Sequence, residues 1–415
     1  MIRPFAALRP APGRADDVVA PPYDVLSSEE ARERVRGRPW SFLHVSMAEI
    51  DLEPGVDHYA PEVYDKAAEN FNNMIAEGVL VRDAAPCYYV YRITKGDHVQ
   101  TGIVGAASVA DYESNRIRKH EFTKPVKEDD RVRQIDSINA QTGPVFVTHR
   151  ADAEVADVIE AATRGEAAAD VTADDGVHHI LWVVEDATLI ERLTAAFEAM
   201  DAIYIADGHH RSAAASRVAA ARNGGSAGQD GADGGEASHD RFLIVSFPDD
   251  EVRILDYNRT VRDLNGLSES DFLGRVAEVF SVEETAGQAR PAARHTFGMY
   301  LAGKWYRLAP KQELPGRDQP VARLDISLLA DRLLSPILGV GDPRTDPRID
   351  FVGGTRGLEA LENRVDRGDW AVAFALYPTS LGNLMAVADA GEVMPPKSTW
   401  FDPKLADGLF SLVLD

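Results

Sequence analysis

Apolar positions follow two kinds of spacing in the first hundred residues. Residues 60–78 place apolar side chains at helical spacing and end in a glycine, which predicts a helix. Residues 86–93 and 98–107 are rich in aromatic and β-branched side chains, and the Lys95-Gly96-Asp97 turn between them predicts a hairpin. The apolar segment at residues 41–45 predicts a short core strand. Helix and strand patterns are therefore mixed from the start of the chain.

The rest of the chain continues this mixture without a regular alternation. A dense charged stretch at residues 117–136 carries no predicted element. Further strands are predicted at residues 143–147, 177–184, 202–206, 241–247, 296–301, 305–308, 349–352, 371–377 and 410–414, and further helices at residues 154–162, 189–200, 209–222, 326–338 and 357–365. Because helices and strands do not alternate in regular βαβ units, the pattern predicts an α+β fold.

The chain of 415 residues is long enough for two or three domains. We predict one region at residues 1–265 and a further α+β region at residues 266–415 that packs on it. Residues 222–240 are rich in glycine, alanine and aspartate, a composition that buries little apolar area, and a core strand resumes directly afterwards. This segment is predicted to be a mobile insertion in a surface loop.

Composition and charge exclude several classes of protein. Hydrophobic residues make up 45% and charged residues 27%, as in globular proteins, and no run is long and apolar enough for a membrane span. The single cysteine, Cys87, cannot form an internal disulfide, so a cytoplasmic location is expected. The net charge of −23 repels nucleic acid and anionic lipid, so neither is expected as a partner. An anionic ligand would need a local basic pocket or a metal ion.

The motif with the most chemical content is DGHHR at residues 207–211, between a predicted strand and a predicted helix. The free N–H groups and positive end of the dipole at such a helix start form an anion site, and Arg211 can bind phosphate oxygens with its planar guanidinium. Asp207 is able to cap the helix, bind a metal or accept a proton. The alternative is that Asp207 is only a cap and the histidines are surface residues.

A second motif, KHEFTKP at residues 119–125, lies in the charged stretch. It combines a carboxylate that can act as a general base, Glu121, with cations that can hold phosphate. The alternative interpretation is a solvated charged face. We also assign four nearby or pocket-forming residues to substrate binding, although a structural turn is the alternative for the last of them: His120, Thr123, Arg131 and Asp24.

The two motifs resemble the free-serine kinases of the ParB/sulfiredoxin-like superfamily, which convert L-serine to O-phosphoserine. The resemblance implies a ParB/sulfiredoxin-like core within residues 1–265, a catalytic pair formed by Glu121 and Asp207, and binding of the donor phosphates by His209, His210 and Arg211. We add Gly208, Ser212, Lys124 and Lys127 to the predicted phosphate-binding residues, and we expect Asp207 to hold Mg²⁺ or to share the role of base.

The chain as a whole resembles the domain-of-unknown-function 1015 family of bacteria and archaea. The matching landmarks lie along nearly the full length, at residues 3–5 (RPF), 20–25 (APPYDV), 41–45 (SFLHV), 119–123 (KHEFT), 207–211 (DGHHR) and 394–399 (MPPKST).

These observations predict a phosphotransferase that acts on a small molecule, with serine or a similar hydroxyl amino acid as acceptor. ATP, ADP and pyrophosphate remain open as donors, and the oligomeric state is not indicated. Two alternatives stay open: a ParB-like nucleotide switch and a non-catalytic nucleotide-binding sensor. The negative net charge argues against a DNA-binding version of the switch.

Overall fold

The computed structural model of the chain describes residues 1–225 and 237–415. Residues 226–236, the central part of the insertion predicted at residues 222–240, lie outside the described residues. The predicted mobility of that segment therefore stays a prediction.

The described residues form two compact units. Unit 1 consists of Met1–Val252 and Pro403–Asp415, and unit 2 consists of Arg253–Asp402. The sequence assigned all of residues 266–415 to the second region, whereas in the structure the last of these residues pack with unit 1. Backbone pairing explains the difference, because Asp407 pairs with Ala20 in an isolated bridge.

Helices and strands occur in both units. The strands are β1 (Ile2–Arg3), β2 (Leu8–Pro10), β3 (Leu80–Arg82), β4 (Tyr88–Lys95), β5 (His98–Ser108), β6 (Ile117–Arg118), β7 (Ala140–Gln141), β8 (Val145–His149), β9 (Ala169–Thr172), β10 (His178–Val184), β11 (Ile203–Asp207), β12 (Arg241–Pro248), β13 (Ile254–Leu255), β14 (Tyr257–Val261), β15 (Phe280–Thr285), β16 (Phe297–Leu301), β17 (Lys304–Pro310), β18 (Ile349–Gly353), β19 (Val372–Leu376), β20 (Trp400–Phe401) and β21 (Leu412–Val413). The α-helices are α1 (Ala15–Val18), α2 (Ser28–Arg34), α3 (Leu43–Ser46), α4 (Pro61–Ala76), α5 (Val109–Glu113), α6 (Pro125–Ile138), α7 (Ala153–Ala162), α8 (Ala187–Ala199), α9 (His209–Gly225), α10 (Glu269–Val279), α11 (Asp325–Leu329), α12 (Glu359–Asp366) and α13 (Leu381–Asp389).

Unit 1 is built on a mixed sheet with the strand order β6-β11-β8-β12-β5-β4-β10-β9, and β1 pairs with β5. The pairs β6–β11 and β8–β12 are parallel, and the other pairs are antiparallel. Strand β5 is buried from Gln100 to Ser108, so both faces of the sheet are covered there. The predicted α+β class is confirmed.

Unit 2 contains an antiparallel sheet with the order β15-β17-β16-β19-β14-β18. A buried apolar cluster that includes Tyr300, Trp305 and Leu361 packs between this sheet and helix α12. The two ends of unit 2 are paired with each other, because β13 pairs with β20. Unit 2 therefore begins and ends at neighbouring points in space.

Local sequence signals fix several elements. The hairpin of β4 and β5 turns between Lys95 and His98, as predicted, and Gly96 takes a φ of +58° there. Helix α4 matches the helix predicted at residues 60–78, with a proline in its first turn. Helix α2 begins at a capping box in which Ser27 and Glu30 each bind the other's backbone N–H.

Two sequence interpretations fail in unit 1. The strand predicted at residues 41–45 is wrong, because helix α3 covers most of it, and a short apolar run does not distinguish a strand from a buried helix. The charged stretch at residues 117–136 contains β6 and most of α6. Helix α6 buries Asp130 and Gln134 together with Ile135 and Ile138, so polar side chains on its inner face hide the apolar periodicity.

The described residues contain no helix that is both long and apolar enough to cross a membrane.

Gly298 in β16 leaves no room for a side chain, since a Cβ there would lie 2.1 Å from the Ala289 carbonyl oxygen. Gly298→Ala should lower the free energy of unfolding by at least about 1–3 kcal/mol, measured by denaturant titration. Gly274→Ala is the matched control, because a Cβ at this position in α10 meets nothing within 4 Å. Alanine there should raise stability by up to about 1 kcal/mol. Equal stability of the two variants would contradict the close packing at Gly298.

Candidate functional site

The DGHHR motif forms a tight turn between a buried strand and a long helix. Strand β11 ends at Asp207, and α9 begins at His209. Between them, Gly208 has a φ of +93°, and a Cβ there would lie 3.3 Å from Val145 Cα and 3.4 Å from Arg211 Nε. Glycine is required by both the backbone conformation and the close approach. The predicted strand-turn-helix is confirmed.

Asp207 is held by two hydrogen bonds on opposite oxygens. The Gly208 N–H donates to Oδ1 at 2.8 Å, and Lys404 Nζ donates to Oδ2 at 2.6 Å. Burial by itself would raise the pKa of Asp207, but the charges of Lys404 and Arg211 and these hydrogen bonds outweigh it and hold the pKa well below its usual range. Asp207 is therefore a carboxylate at neutral pH.

Arg211 is fixed by the loop that precedes β8. Its Nη1 donates a hydrogen bond to the Pro144 carbonyl, and a Cβ on Gly143 would lie 3.2 Å from its Cδ. The guanidinium thus lies between the Gly143-Pro144 loop and the Gly208 turn.

A cleft opens beside this guanidinium. Arg131 lies on the cleft wall, stacks its guanidinium 4.2 Å from the centre of the Tyr23 ring and forms an ion pair of 2.7 Å with Asp130. The polar and glycine residues that line the cleft are Tyr23, Ser46, Arg131, Gln134, Gln141, Thr142, Gly143, Arg211 and Asp407. Two guanidinium groups therefore face one cleft in a chain whose net charge is strongly negative.

The segment after unit 2 supplies two charged residues that the sequence analysis did not assign to the site. Lys404 reaches Asp207, and Asp407 lies in the cleft wall with only 3% of its surface exposed. Burial raises the pKa of Asp407 to about 7, although the charge of Arg211 lowers it in part. The only sequence signal noted in this segment is the Asp407-Gly408 turn, where Gly408 has a φ of +88°. Such a local signal does not indicate which distant part of the chain the segment contacts.

The HE segment lies against the same turn. His120 and His209 are 2% and 4% exposed, and their ring centres lie 4.4 Å apart in an edge-to-face arrangement. Glu121 Oε2 lies 3.8 Å from His209 Nδ1, with about half of the Glu121 side chain exposed. The structure thus places Glu121 beside the first residue of the helix that follows Asp207.

Both buried histidines are neutral at pH 7. Burial lowers the pKa of His120 to about 4, against a backbone hydrogen bond with Ile205 and the charge of Asp207, which raise it. Burial also holds the pKa of His209 well below its usual value, and the neighbouring His120 adds to the effect. Both rings are therefore uncharged, and Nε2 of His209 accepts the His120 backbone N–H at 3.5 Å.

The remaining predicted residues form hydrogen bonds around the two motifs or face solvent. The Lys124 backbone N–H donates to His210 Nε2 at 3.1 Å, and the Thr123 hydroxyl donates to Glu128. Three of the other predicted residues are placed as follows: the buried Ser212 hydroxyl donates to the His209 carbonyl at 3.0 Å, Lys127 is exposed on α6, and Asp24 is exposed in a short 3-10 helix. His209 and Ser212 thus face the interior, and their predicted phosphate-binding role stays a prediction.

One family of proteins matches most of the chain. The model of the family described as "Protein of unknown function (DUF1015)" matches residues 2–327. Among curated proteins, none matches the chain.

Solved structures show a distant similarity. A free serine kinase in complex with AMP is 13% identical with a TM-score of 0.34, over 72% of this chain and 86% of that chain. A conserved hypothetical protein from Pyrococcus furiosus is 13% identical with a TM-score of 0.34, over 74% and 94%. SbnI with a C-terminal truncation, from Staphylococcus aureus, is 12% identical with a TM-score of 0.37, over 72% and 82%. At such low identities and TM-scores, these similarities establish neither the fold nor an activity of this chain.

The raised pKa of Asp407 makes stability depend on pH. An aspartate in the unfolded chain loses its proton near pH 4, whereas folded Asp407 keeps it to about pH 7. Folded Asp407 therefore binds more proton between these values, so its own contribution to the free energy of unfolding falls as the pH rises from 4 to 7. Asp407→Asn should remove this contribution, so the free energy of unfolding of the variant should fall less, or rise more, over this range than that of the unmodified protein.

Denaturant unfolding at several pH values between 4 and 8 measures the effect. The control is Asp97→Asn, an exposed aspartate in the β4–β5 turn, whose curve should follow that of the unmodified protein. A parallel curve for Asp407→Asn as well would show that Asp407 does not keep its proton in the folded state.

Proposed function

The chain belongs to the DUF1015 family, and from this premise we propose that it transfers a phosphoryl group from a nucleotide or pyrophosphate to the hydroxyl of a small amino acid, serine first. The observation that carries the proposal is the contact between the two motifs. Glu121 lies 3.8 Å from His209, and the same DGHHR turn holds Asp207 and Arg211. A carboxylate able to accept a proton thus lies beside a helix start that can bind phosphate.

The cleft beside Arg211 supplies the charge that a phosphoryl donor requires. Transfer of a phosphoryl group depends mainly on in-line positioning and on neutralising the charge of the phosphate oxygens. Arg211 and Arg131 both face the cleft, and guanidinium groups bind phosphate through paired N–H donors. In this proposal, the donor phosphates occupy the cleft, and Gly208 allows them to approach the backbone at the start of α9.

Glu121 is the general base in this proposal. An attacking hydroxyl has to lose its proton, and a carboxylate within hydrogen-bond reach accepts it. About half of the Glu121 side chain is exposed, so a small acceptor can reach it. Asp207 is a less suitable base, because both of its oxygens already accept hydrogen bonds, and its part in this proposal is to orient the turn and to hold Mg²⁺.

Mg²⁺ belongs to the proposal as the ion that would accompany the donor phosphates. Asp207 is the carboxylate that would hold it, and each oxygen keeps a lone pair beside its present hydrogen bond. Mg²⁺ keeps several water and phosphate ligands in such sites, so one carboxylate is enough. The ion would add positive charge next to the transferred group.

The finer fold assignment and the domain assignment are part of the same proposal. We assign the mixed sheet of unit 1 to a ParB/sulfiredoxin-like core that carries the kinase site, within the predicted residues 1–265. The motif resemblance supports this assignment, as does the DGHHR turn at the end of a strand of that sheet. A nucleotide sensor would share the cleft but would not need Glu121.

Arg211→Ala should weaken binding of the phosphoryl donor by about tenfold to a hundredfold. Loss of a charge-assisted hydrogen bond costs about 1.5–3 kcal/mol. Titration calorimetry with ATP, ADP and pyrophosphate measures the affinity. The control is Arg217→Ala on the same helix, because Arg217 is exposed and bonds to Glu128 and Asp129 on α6. Equal donor affinity in the two folded variants would refute the phosphate role of Arg211.

Glu121→Gln should lower turnover by about a hundredfold to ten-thousandfold with little change in donor affinity, because it removes the base and keeps the shape. Each donor is paired with serine, threonine and homoserine, and product formation is followed by phosphorus NMR. Donor binding without any phosphorylated product would favour the sensor over the kinase. Unchanged turnover in the Gln variant would exclude Glu121 as the base.

A further inference from the structure

Two histidines and a glutamate converge at the junction of the two motifs. One ring nitrogen of His120, one of His209 and one carboxylate oxygen of Glu121 lie within 4.8 Å of one another. The two rings are almost completely buried, whereas the carboxylate reaches solvent. The group therefore has a rigid buried side and one adjustable exposed ligand.

His120 carries an unexplained buried nitrogen. Within the described residues, Nδ1 of His120 has no hydrogen-bond partner, although the ring is 2% exposed. A buried polar atom without a partner is costly, and native proteins rarely tolerate one without a reason. A backbone hydrogen bond with Ile205 acts on the same ring, and because Nδ1 lacks a partner, this bond belongs to Nε2.

This arrangement is the one that metal-binding histidines use. A ligand histidine usually donates its other ring N–H to a backbone carbonyl or a carboxylate, which fixes the tautomer and leaves a lone pair for the ion. The bond from His120 Nε2–H to the Ile205 carbonyl leaves the lone pair on Nδ1. The ring of His209 lies edge-to-face against the His120 ring, with its Nδ1 3.8 Å from Glu121 Oε2.

We propose that His120, Glu121 and His209 bind a divalent transition-metal ion, with Zn²⁺ as the reference ion. Two imidazoles and one carboxylate are a ligand set typical of zinc and of other first-row divalent metals, whereas Mg²⁺ prefers oxygen ligands. Three protein ligands leave at least one position for water or a substrate oxygen. The ion would therefore lie between the exposed surface and the DGHHR turn.

The ligand atoms need only a small adjustment. Ligands of a tetrahedral zinc ion lie about 2.0–2.2 Å from the metal and therefore about 3.4 Å from one another. Glu121 Oε2 already lies 3.8 Å from His209 Nδ1, and all three ligand atoms lie within 4.8 Å of one another.

The inference goes beyond the proposed phosphoryl transfer and does not need it. Binding of the ion is a property of the three side chains and is measured without donor or acceptor. In the metal-bound protein, the Glu121 carboxylate would be a ligand, and the ion would offer its open position to a water or a substrate oxygen.

The full-length protein, first freed of metal by chelator dialysis, is titrated with Zn²⁺ by calorimetry and with Co²⁺ by visible absorption. We expect one ion per chain and displacement of Co²⁺ by Zn²⁺, with no displacement by millimolar Mg²⁺. Glu121→Gln and His120→Gln should each weaken Zn²⁺ binding by at least about tenfold to a hundredfold, the range seen when even an indirect partner of a metal ligand is lost. Glu121 is exposed, so its variant decides the question if His120→Gln does not fold.

The control is His178→Asn. His178 forms a separate histidine–carboxylate pair of 2.6 Å with Asp170. Its substitution tests whether Zn²⁺ binds to an ordinary histidine–carboxylate pair at the surface. The control should bind Zn²⁺ like the unmodified protein. Absence of stoichiometric Zn²⁺ binding, or equal affinity of Glu121→Gln and His178→Asn, would overturn the proposal.

The outcomes for this site and for the proposed function are distinct. Stoichiometric Zn²⁺ binding in a protein that phosphorylates no acceptor would support the proposed metal site and contradict the proposed kinase activity. Phosphorylation by the chelator-treated protein with added Mg²⁺ only, together with no Zn²⁺ binding, would support the proposed kinase activity and contradict the proposed metal site.

Discussion

The ion pair between Asp207 and Lys404 joins the two parts of the chain from which the candidate site is assembled. Its 2.6 Å hydrogen bond ties the end of β11 to the segment that follows unit 2. Each charge stabilises the other in a half-buried position. Separating the two segments would therefore leave a partly buried charge without its partner, which is unfavourable. This contact places Lys404 beside the Gly208 turn, and the same C-terminal segment contributes Asp407 to the cleft that Arg211 lines.

The elements that the sequence predicts well are those whose signals are local. The β4–β5 hairpin has a turn tripeptide between two strand patterns, and α4 has an apolar stripe with a proline start. Helix α6 is not predicted by its apolar spacing, because its inner face includes Asp130, which accepts a hydrogen bond from the Tyr64 hydroxyl. A hydrogen-bond partner from a distant part of the chain allows a polar side chain to be buried in this helix. The spacing of apolar residues in the sequence does not reveal such partners.

The candidate site divides in the same way. The DGHHR turn is predictable because a strand, an obligatory glycine and a helix follow one another, and Glu121 is predictable from its motif. Lys404 and Asp407 are not, because backbone pairing with distant segments, such as the Ala20–Asp407 bridge and the pairing of β21 with β7, brings them to the rest of unit 1. The unsatisfied Nδ1 of His120 is also beyond the sequence, since it depends on the burial of one ring by distant strands. The catalytic and phosphate-binding roles stay predictions.

The interruption of unit 1 by unit 2 has a consequence for how the protein is made. During translation, the residues of unit 2 leave the ribosome before Lys404 and Asp407 exist. Unit 2 can close on itself at once, because β13 and β20 pair its ends. All strands of the unit 1 sheet have been made by then, but the Asp207 carboxylate still lacks its ammonium partner, so the nascent site is incomplete until the closing segment emerges. Assembly of the cleft is thereby coupled to synthesis of the segment from residue 403 onward. A chain whose translation ends within unit 2 lacks that segment and therefore lacks the complete cleft.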